Sequence, residues 1–112
     1  MNANEYQQLA LRTESKTESE TTRLLQGIMG LCGEAGECLD LLKKHMFQEH
    51  YLNKGHLMKE LGDVAWYLAV SADALGFSLE DIFEANIQKL RDRYPNGEFE
   101  GEKSRNRKEG DV

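Results

Sequence analysis

Apolar residues recur along this chain at helical spacing and almost never alternate, so the pattern predicts helices throughout. Few β-branched residues and a single proline, Pro95, point the same way. The strongest run is Leu24, Ile28, Leu31, Ala35, Cys38 and Leu42, spaced 4, 3, 4, 3 and 4 and widened by Leu25, Cys32, Leu39 and Met46. It predicts a helix over about 20–45, preceded by a shorter one over about 2–14. The polar run 13–22 reads as a linker or a loose helix start. A third helix opens on Asn53 as N-cap, carries Leu57, Leu61, Val64, Ala65, Leu68, Ala72 and Leu75 inward, and stops at Gly76. A fourth begins at Ser78, with Asp81 completing a variant capping box, and runs to about Arg93 before Pro95 and Gly97. The expected fold class is therefore all-α, a four-helix bundle-like subunit. Residues 1–97 form one helical domain, and 98–112 form a charged tail that alone would be disordered, with Phe99 as its one large apolar anchor.

Gly27, Gly30, Gly33 and Gly36 stand at every third position inside the second helix. Each costs about 1 kcal/mol relative to Ala, so the spacing predicts a close approach to that backbone.

At 112 residues and 12.8 kDa the chain is one domain with a small core, and association with further copies is expected. A net charge of -6 excludes duplex nucleic acid and anionic membrane as partners. No apolar run approaches the ~20 residues that span a bilayer, and 1–11 lack a basic stretch followed by an apolar one, so a cytoplasmic protein is expected. Cys32 and Cys38 are about 9 Å apart along one helix, too far to bond, and read as reduced core thiols.

Two acidic pairs stand out: Glu34 with Glu37 in GEAGE, and Glu60 with Asp63 in KELGD. The spacing alone also suits a solvated face. Their position relative to the apolar stripes is more informative. Placed at 100° per residue, Glu34 and Glu37 lie about 100° and 160° from the centre of the second helix's stripe. Glu60 and Asp63 lie about 100° and 160° from the third helix's stripe, on the same angular side. Helices joined by a short loop pack antiparallel, and stripe-to-stripe packing then sends all four carboxylates into one groove, nearly level. Four acids in one groove repel unless a cation or protons intervene, and oxygen-only ligands select a hard divalent ion, Mg²⁺ or Mn²⁺. No histidine stands beside the acids as in di-iron bundles; His56, one turn before Glu60, is the nearest, and His45, His50 and His56 read as solvated residues in or next to the connection.

The strings LCGEAGECLDLLKK, KELGDVAWYLA and FEANIQKLRDRYPNGEF, in that order, resemble the MazG-like nucleotide pyrophosphohydrolases, the all-α NTP pyrophosphatases. The resemblance covers about 24–99. It implies Mg²⁺-dependent cleavage of a nucleoside triphosphate to monophosphate and pyrophosphate. It also implies that Glu34, Glu37, Glu60 and Asp63 are the metal ligands and catalytic residues, and that the bundle assembles as a homodimer or homotetramer. One departure is visible: Gly33 stands where the family often has a further Glu, which leaves one or two metal ions open.

On the fourth helix, Asn86 projects into the stripe of Ile82, Phe83, Ile87 and Leu90, where a buried amide needs a partner. Lys89 and Arg93 follow on the same side as a short cationic edge; they read either as a snorkelling helix end or, as the resemblance implies, as groups that neutralise triphosphate oxygens while Asn86 orients a ligand. Tyr67, one turn after Asp63, suits the sugar or base and equally a helix interface. Lys44 is an ordinary helix-end cation within reach of a phosphate. Trp66 points away from the third stripe and, with Leu41, Val70 and Ala74, suggests a second packing face for another copy, or else a base-stacking wall that one subunit contributes to another. The competing functional class is a non-catalytic helical oligomer that binds nucleotide or protein.

Overall fold

Three of the expected helices begin at residues whose side chains cap them. In the computed structural model, which describes residues 1–15 and 18–112, Asn2 Oδ1 accepts Glu5 N–H at 2.8 Å and its amide donates back to Glu5 Oε1 at 2.7 Å. That starts α1, Ala3–Leu11. Ser19 Oγ accepts Thr22 N–H at 3.2 Å to open α2, Glu20–Phe47, and Asn53 Oδ1 accepts His56 N–H at 3.0 Å to open α3, Lys54–Ala74. The end of α3 is a left-handed turn at Gly76 (φ 85°), with Phe77 N–H donating to Ala72 O and Gly76 N–H to Asp73 O, both at 2.9 Å. Then follow α4, Leu79–Arg93, and a fifth, short helix α5, Gly101–Arg105. The described residues are all-helical, with no strand. The expected linker 13–22 lies partly outside the described residues, at 16 and 17. No helix among the described residues is long and apolar enough to cross a membrane.

The chain divides after Leu79 into two units. In the first, α2 and α3 pack closely together and α1 lies on α3. The buried amide of Gln7 fixes α1: Nε2 donates to Ala69 O (3.1 Å) and Phe77 O (3.2 Å), while Oε1 accepts Leu79 N–H (3.0 Å). Ala10 and Leu11 are buried in α1, and Ala69, Val70 and Ala72 in α3.

The α2–α3 contact differs from stripe-to-stripe packing. A Cβ at Gly27 would collide with Ser71 Oγ, and one at Gly30 with the Tyr67 ring, so these two glycines let the helices close. Gly33 and Gly36 have nothing within 4 Å, and the close-approach expectation fails for them. The contact row is therefore Gly27, Gly30 and Glu34 against Ser71, Tyr67 and Glu60, about 100° round each helix from its apolar stripe. The stripes are only partly covered: Leu24, Leu31 and Cys38 on α2 and Leu57, Val64, Leu68 and Ala72 on α3 are half-buried or buried, and the members farther from the row are open. Leu25, Ile28 and Leu39 are 60%, 47% and 66% exposed, and Leu61 and Leu75 are 55% and 53% exposed. Cys32, expected in the core, is exposed too.

Arg23 opens the contact row and is only 4% exposed. It binds Glu14 through two bonds (2.7 and 2.9 Å), Glu20 (2.8 Å) and Asp73 (2.7 Å), tying the α1–α2 connection to both long helices. With three carboxylates around it, the buried guanidinium is fully compensated. Trp66, expected to be uncovered, is half-buried and donates Nε1–H to Thr13 Oγ1 at 2.8 Å. Val70 is buried within this unit, so the second packing face expected from Trp66 and Val70 is largely covered by the chain itself.

The second unit holds the rest of α4, α5 and the tail. Tyr94 and Phe99 rings meet at 5.6 Å, and Arg93 reaches Asp111 at 2.7 and 2.9 Å, so 98–112 fold back on α4 where disorder was expected. Asn86 is exposed, which removes the argument from a buried amide.

Candidate metal centre

The convergence of acids follows from the contact row. Past Gly30 and Tyr67 the row on α2 continues one turn to Glu34, and on α3, running the other way, to Asp63 and Glu60. Glu34, Glu37 and Glu60 each present a carboxylate oxygen, and the three oxygens lie within 4.8 Å of one another. Glu34 Oε2 is sealed from solvent and has no hydrogen-bond partner. Desolvation, then the adjoining Glu60 carboxyl and the charges of Glu37 and Asp63, push the Glu34 carboxyl above the usual carboxylate range. Asp63 stands outside the tight trio and is exposed. Its charge also reaches α1, where burial first and Asp63 second raise the Tyr6 hydroxyl.

The fit to a hard divalent cation rests on this donor set. Three carboxylates supply oxygen alone, and one oxygen is buried without a partner, which a cation would satisfy. His56, solvent-exposed as expected, donates Nε2–H to Glu60 Oε1 at 3.0 Å and holds that carboxylate from outside. His45 donates Nδ1–H to His50 O at 2.8 Å.

Beside the acids on the same flank lies a cleft of about 530 Å³. Gly27, Gly30, Thr13, Gln26, Trp66 and Tyr67 line it, and the two rings meet edge to face at 5.0 Å. Tyr67 is thus both a helix-interface aromatic, against Gly30, and a wall of this cleft. Lys44 Nζ is bound to Asp40 at 2.8 Å, and Lys43 to the same carboxylate at 3.1 Å. Those two lysines, Lys44 first, hold the Asp40 carboxyl below its usual range. Asn86, Lys89 and Arg93 belong to the second unit, where Arg93 is held by Asp111. Sequence reasoning missed Arg23, Thr13 and Tyr6; it placed His56 one turn before Glu60, the spacing of the bond now seen, but read it as solvated.

Residues 23–98 match the family described as MazG nucleotide pyrophosphohydrolase domain. Among curated proteins, the Gene 37 protein of Mycobacterium phage L5 is 38% identical over 77 residues, 65% of this chain and 68% of the phage protein. The uncharacterized protein YvdC of Bacillus subtilis (strain 168) is 44% identical over 41 residues, 37% of this chain and 39% of that one. No solved structure matches.

Proposed function

We propose, from a chain that belongs to the MazG nucleotide pyrophosphohydrolase family, that it hydrolyses a nucleoside or deoxynucleoside triphosphate to the monophosphate and pyrophosphate. The observation that carries this reading is the buried, unpartnered Oε2 of Glu34 among three converging carboxylates. Glu34, Glu37 and Glu60, with Asp63 at the edge, would hold Mg²⁺, or Mn²⁺ in its place. When bound, such an ion offsets the charge on phosphoryl oxygens.

The chain's own residues supply the rest. His56 orients Glu60 through its 3.0 Å bond, which keeps one carboxylate fixed while the site fills. The acid cluster and the Trp66–Tyr67 cleft share one flank of the α2–α3 pair, a turn apart, so a nucleotide with its phosphates at the acids would lay its sugar and base along Tyr67. Lys44, on the same helix as two of the acids, is assigned to the phosphate chain, where a cation stabilises departing pyrophosphate, and Asn86, Lys89 and Arg93 of the second unit remain the phosphate contacts that the family resemblance implies. Clearing unwanted triphosphates from the nucleotide pool is the role this chemistry suits.

The exposed members of the α2 and α3 stripes, Leu25, Ile28, Leu39, Leu61 and Leu75, support a homodimer or homotetramer, since a large open apolar patch is rare on a monomer. Purified protein incubated with a panel of NTPs and dNTPs, with and without Mg²⁺, tests the reading. Pyrophosphate release that requires the ion supports it, and no turnover of any triphosphate would leave a nucleotide- or protein-binding module.

A further inference from the structure

The tail's return to α4 puts a carboxylate where a phosphate would fit. Asp111 meets the Arg93 guanidinium with both oxygens, Oδ1 to Nη2 at 2.7 Å and Oδ2 to Nε at 2.9 Å. This is the fork geometry that arginine uses for carboxylate and phosphate alike. Both side chains are nearly buried, at 10% and 12% exposure. The Tyr94 ring, 6.0 Å from the guanidinium carbon, backs Arg93 and limits its freedom to turn away. A cleft of about 230 Å³ surrounds the pair and is also lined by Lys103, Arg107 and Lys108. Its titratable lining is four cations against two carboxylates, Asp92 and Asp111, so the cleft is cationic even with Asp111 in place.

We infer that this cleft is a polyphosphate-binding site and that Asp111 is its tethered internal anion, displaced when a polyphosphate chain enters. Arg93 first, then Arg107 and Lys89, hold the Asp111 carboxyl below its usual range, as a site built for negative charge would. The tether is weak: Asp111 lies beyond the last helix, and the backbone bond that fixes it locally is a turn, Asp111 N–H to Lys108 O at 3.0 Å, beside Gly110 at φ 86°. Releasing it breaks no packed element. With Asp111 out, Arg93 would present its fork to phosphate oxygens, with Lys103, Arg107 and Lys108 spaced for further ones. The tail therefore acts as a competitor held at high local concentration, lowering apparent affinity by the fraction of time it occupies Arg93.

The inference rests on the proposed function for the class of ligand and for Arg93 as a phosphate contact, and its test needs no catalysis. Sodium tripolyphosphate is titrated calorimetrically into the full chain in EDTA, where the acid cluster holds no metal to recruit phosphate. Asp111→Asn removes the competing charge and should tighten binding, by about tenfold if the tail occupies Arg93 nine-tenths of the time. Arg93→Gln should abolish binding. Unchanged or weaker binding by Asp111→Asn would overturn the inference, as would retained binding by Arg93→Gln or orthophosphate binding as tightly as tripolyphosphate. Failure of triphosphate hydrolysis in Mg²⁺ leaves these titrations unaffected, so the two readings fall separately.

Discussion

His56, one turn ahead of Glu60 on α3, donates Nε2–H to Glu60 Oε1 at 3.0 Å, so a residue of the helix's first turns holds a carboxylate of the acid cluster. Groups that orient a ligand from behind typically change metal affinity 10- to 100-fold, on the order of that seen for other outer-shell partners. His56→Ala is expected to weaken Mn²⁺ binding by about tenfold, at the lower end because His56 is half-exposed. Calorimetric titration of the metal-free protein measures this; equal Kd values would separate His56 from the centre.

Glu34→Gln, Glu37→Gln and Asp63→Asn should each abolish ion-dependent turnover. In EDTA the Glu34→Gln variant should also melt at a higher temperature than the parent, because the Glu34 carboxylate is desolvated and crowded by Glu60, Glu37 and Asp63. Added Mg²⁺ should raise the parent's Tm and leave the variant's nearly unchanged. A variant with parental turnover at saturating Mg²⁺ would remove that residue from the ligand set.

The four glycines of α2 should separate into two classes. Gly27→Ala and Gly30→Ala drive a methyl into Ser71 Oγ and the Tyr67 ring, and overpacking of this kind costs about 1–3 kcal/mol. Gly33→Ala and Gly36→Ala meet open space and should gain about 0.5–1 kcal/mol from helix propensity. Urea denaturation of the four variants checks the split, and equal effects would contradict the contact row.

Helix existence and boundaries were legible from spacing and caps: Asn53 and Gly76 bracket α3 as expected, and the stripe from Leu24 to Leu42 lies within α2. Which faces touch was not. The row that joins α2 to α3 reads Arg23, Gly27, Gly30, Glu34, a mixture that by polarity belongs on a solvated flank. It became an interface because glycines remove the steric barrier and Arg23 is neutralised by Glu20 at i−3, by Glu14 and, fifty residues on, by Asp73, a partner that spacing does not reveal. The acids still point to one place, because equal angular offsets bring the same rows together whether the stripes face each other fully or only in part. The short α5 was illegible for a different reason: GEKSR carries no apolar face, and its segment is tied back through Arg93 and Asp111.

The open members of the two stripes lead to an expectation about assembly. Leu25, Ile28, Leu39, Leu61 and Leu75 are all about half exposed or more in one copy, so a second copy should cover them. Light scattering at micromolar concentration should return at least twice 12.8 kDa, and Leu39→Glu should shift it down. A parent mass near 12.8 kDa would leave the face without an occupant.

The central claim, that converging carboxylates on α2 and α3 serve pyrophosphate-releasing hydrolysis, is tested most directly by phosphorus NMR of a deoxynucleoside triphosphate with the protein and Mg²⁺. The account predicts monophosphate and pyrophosphate signals growing in equal amounts, absent in EDTA and absent with Glu34→Gln. Orthophosphate with a nucleoside diphosphate, or hydrolysis by Glu34→Gln at the parental rate, would contradict it.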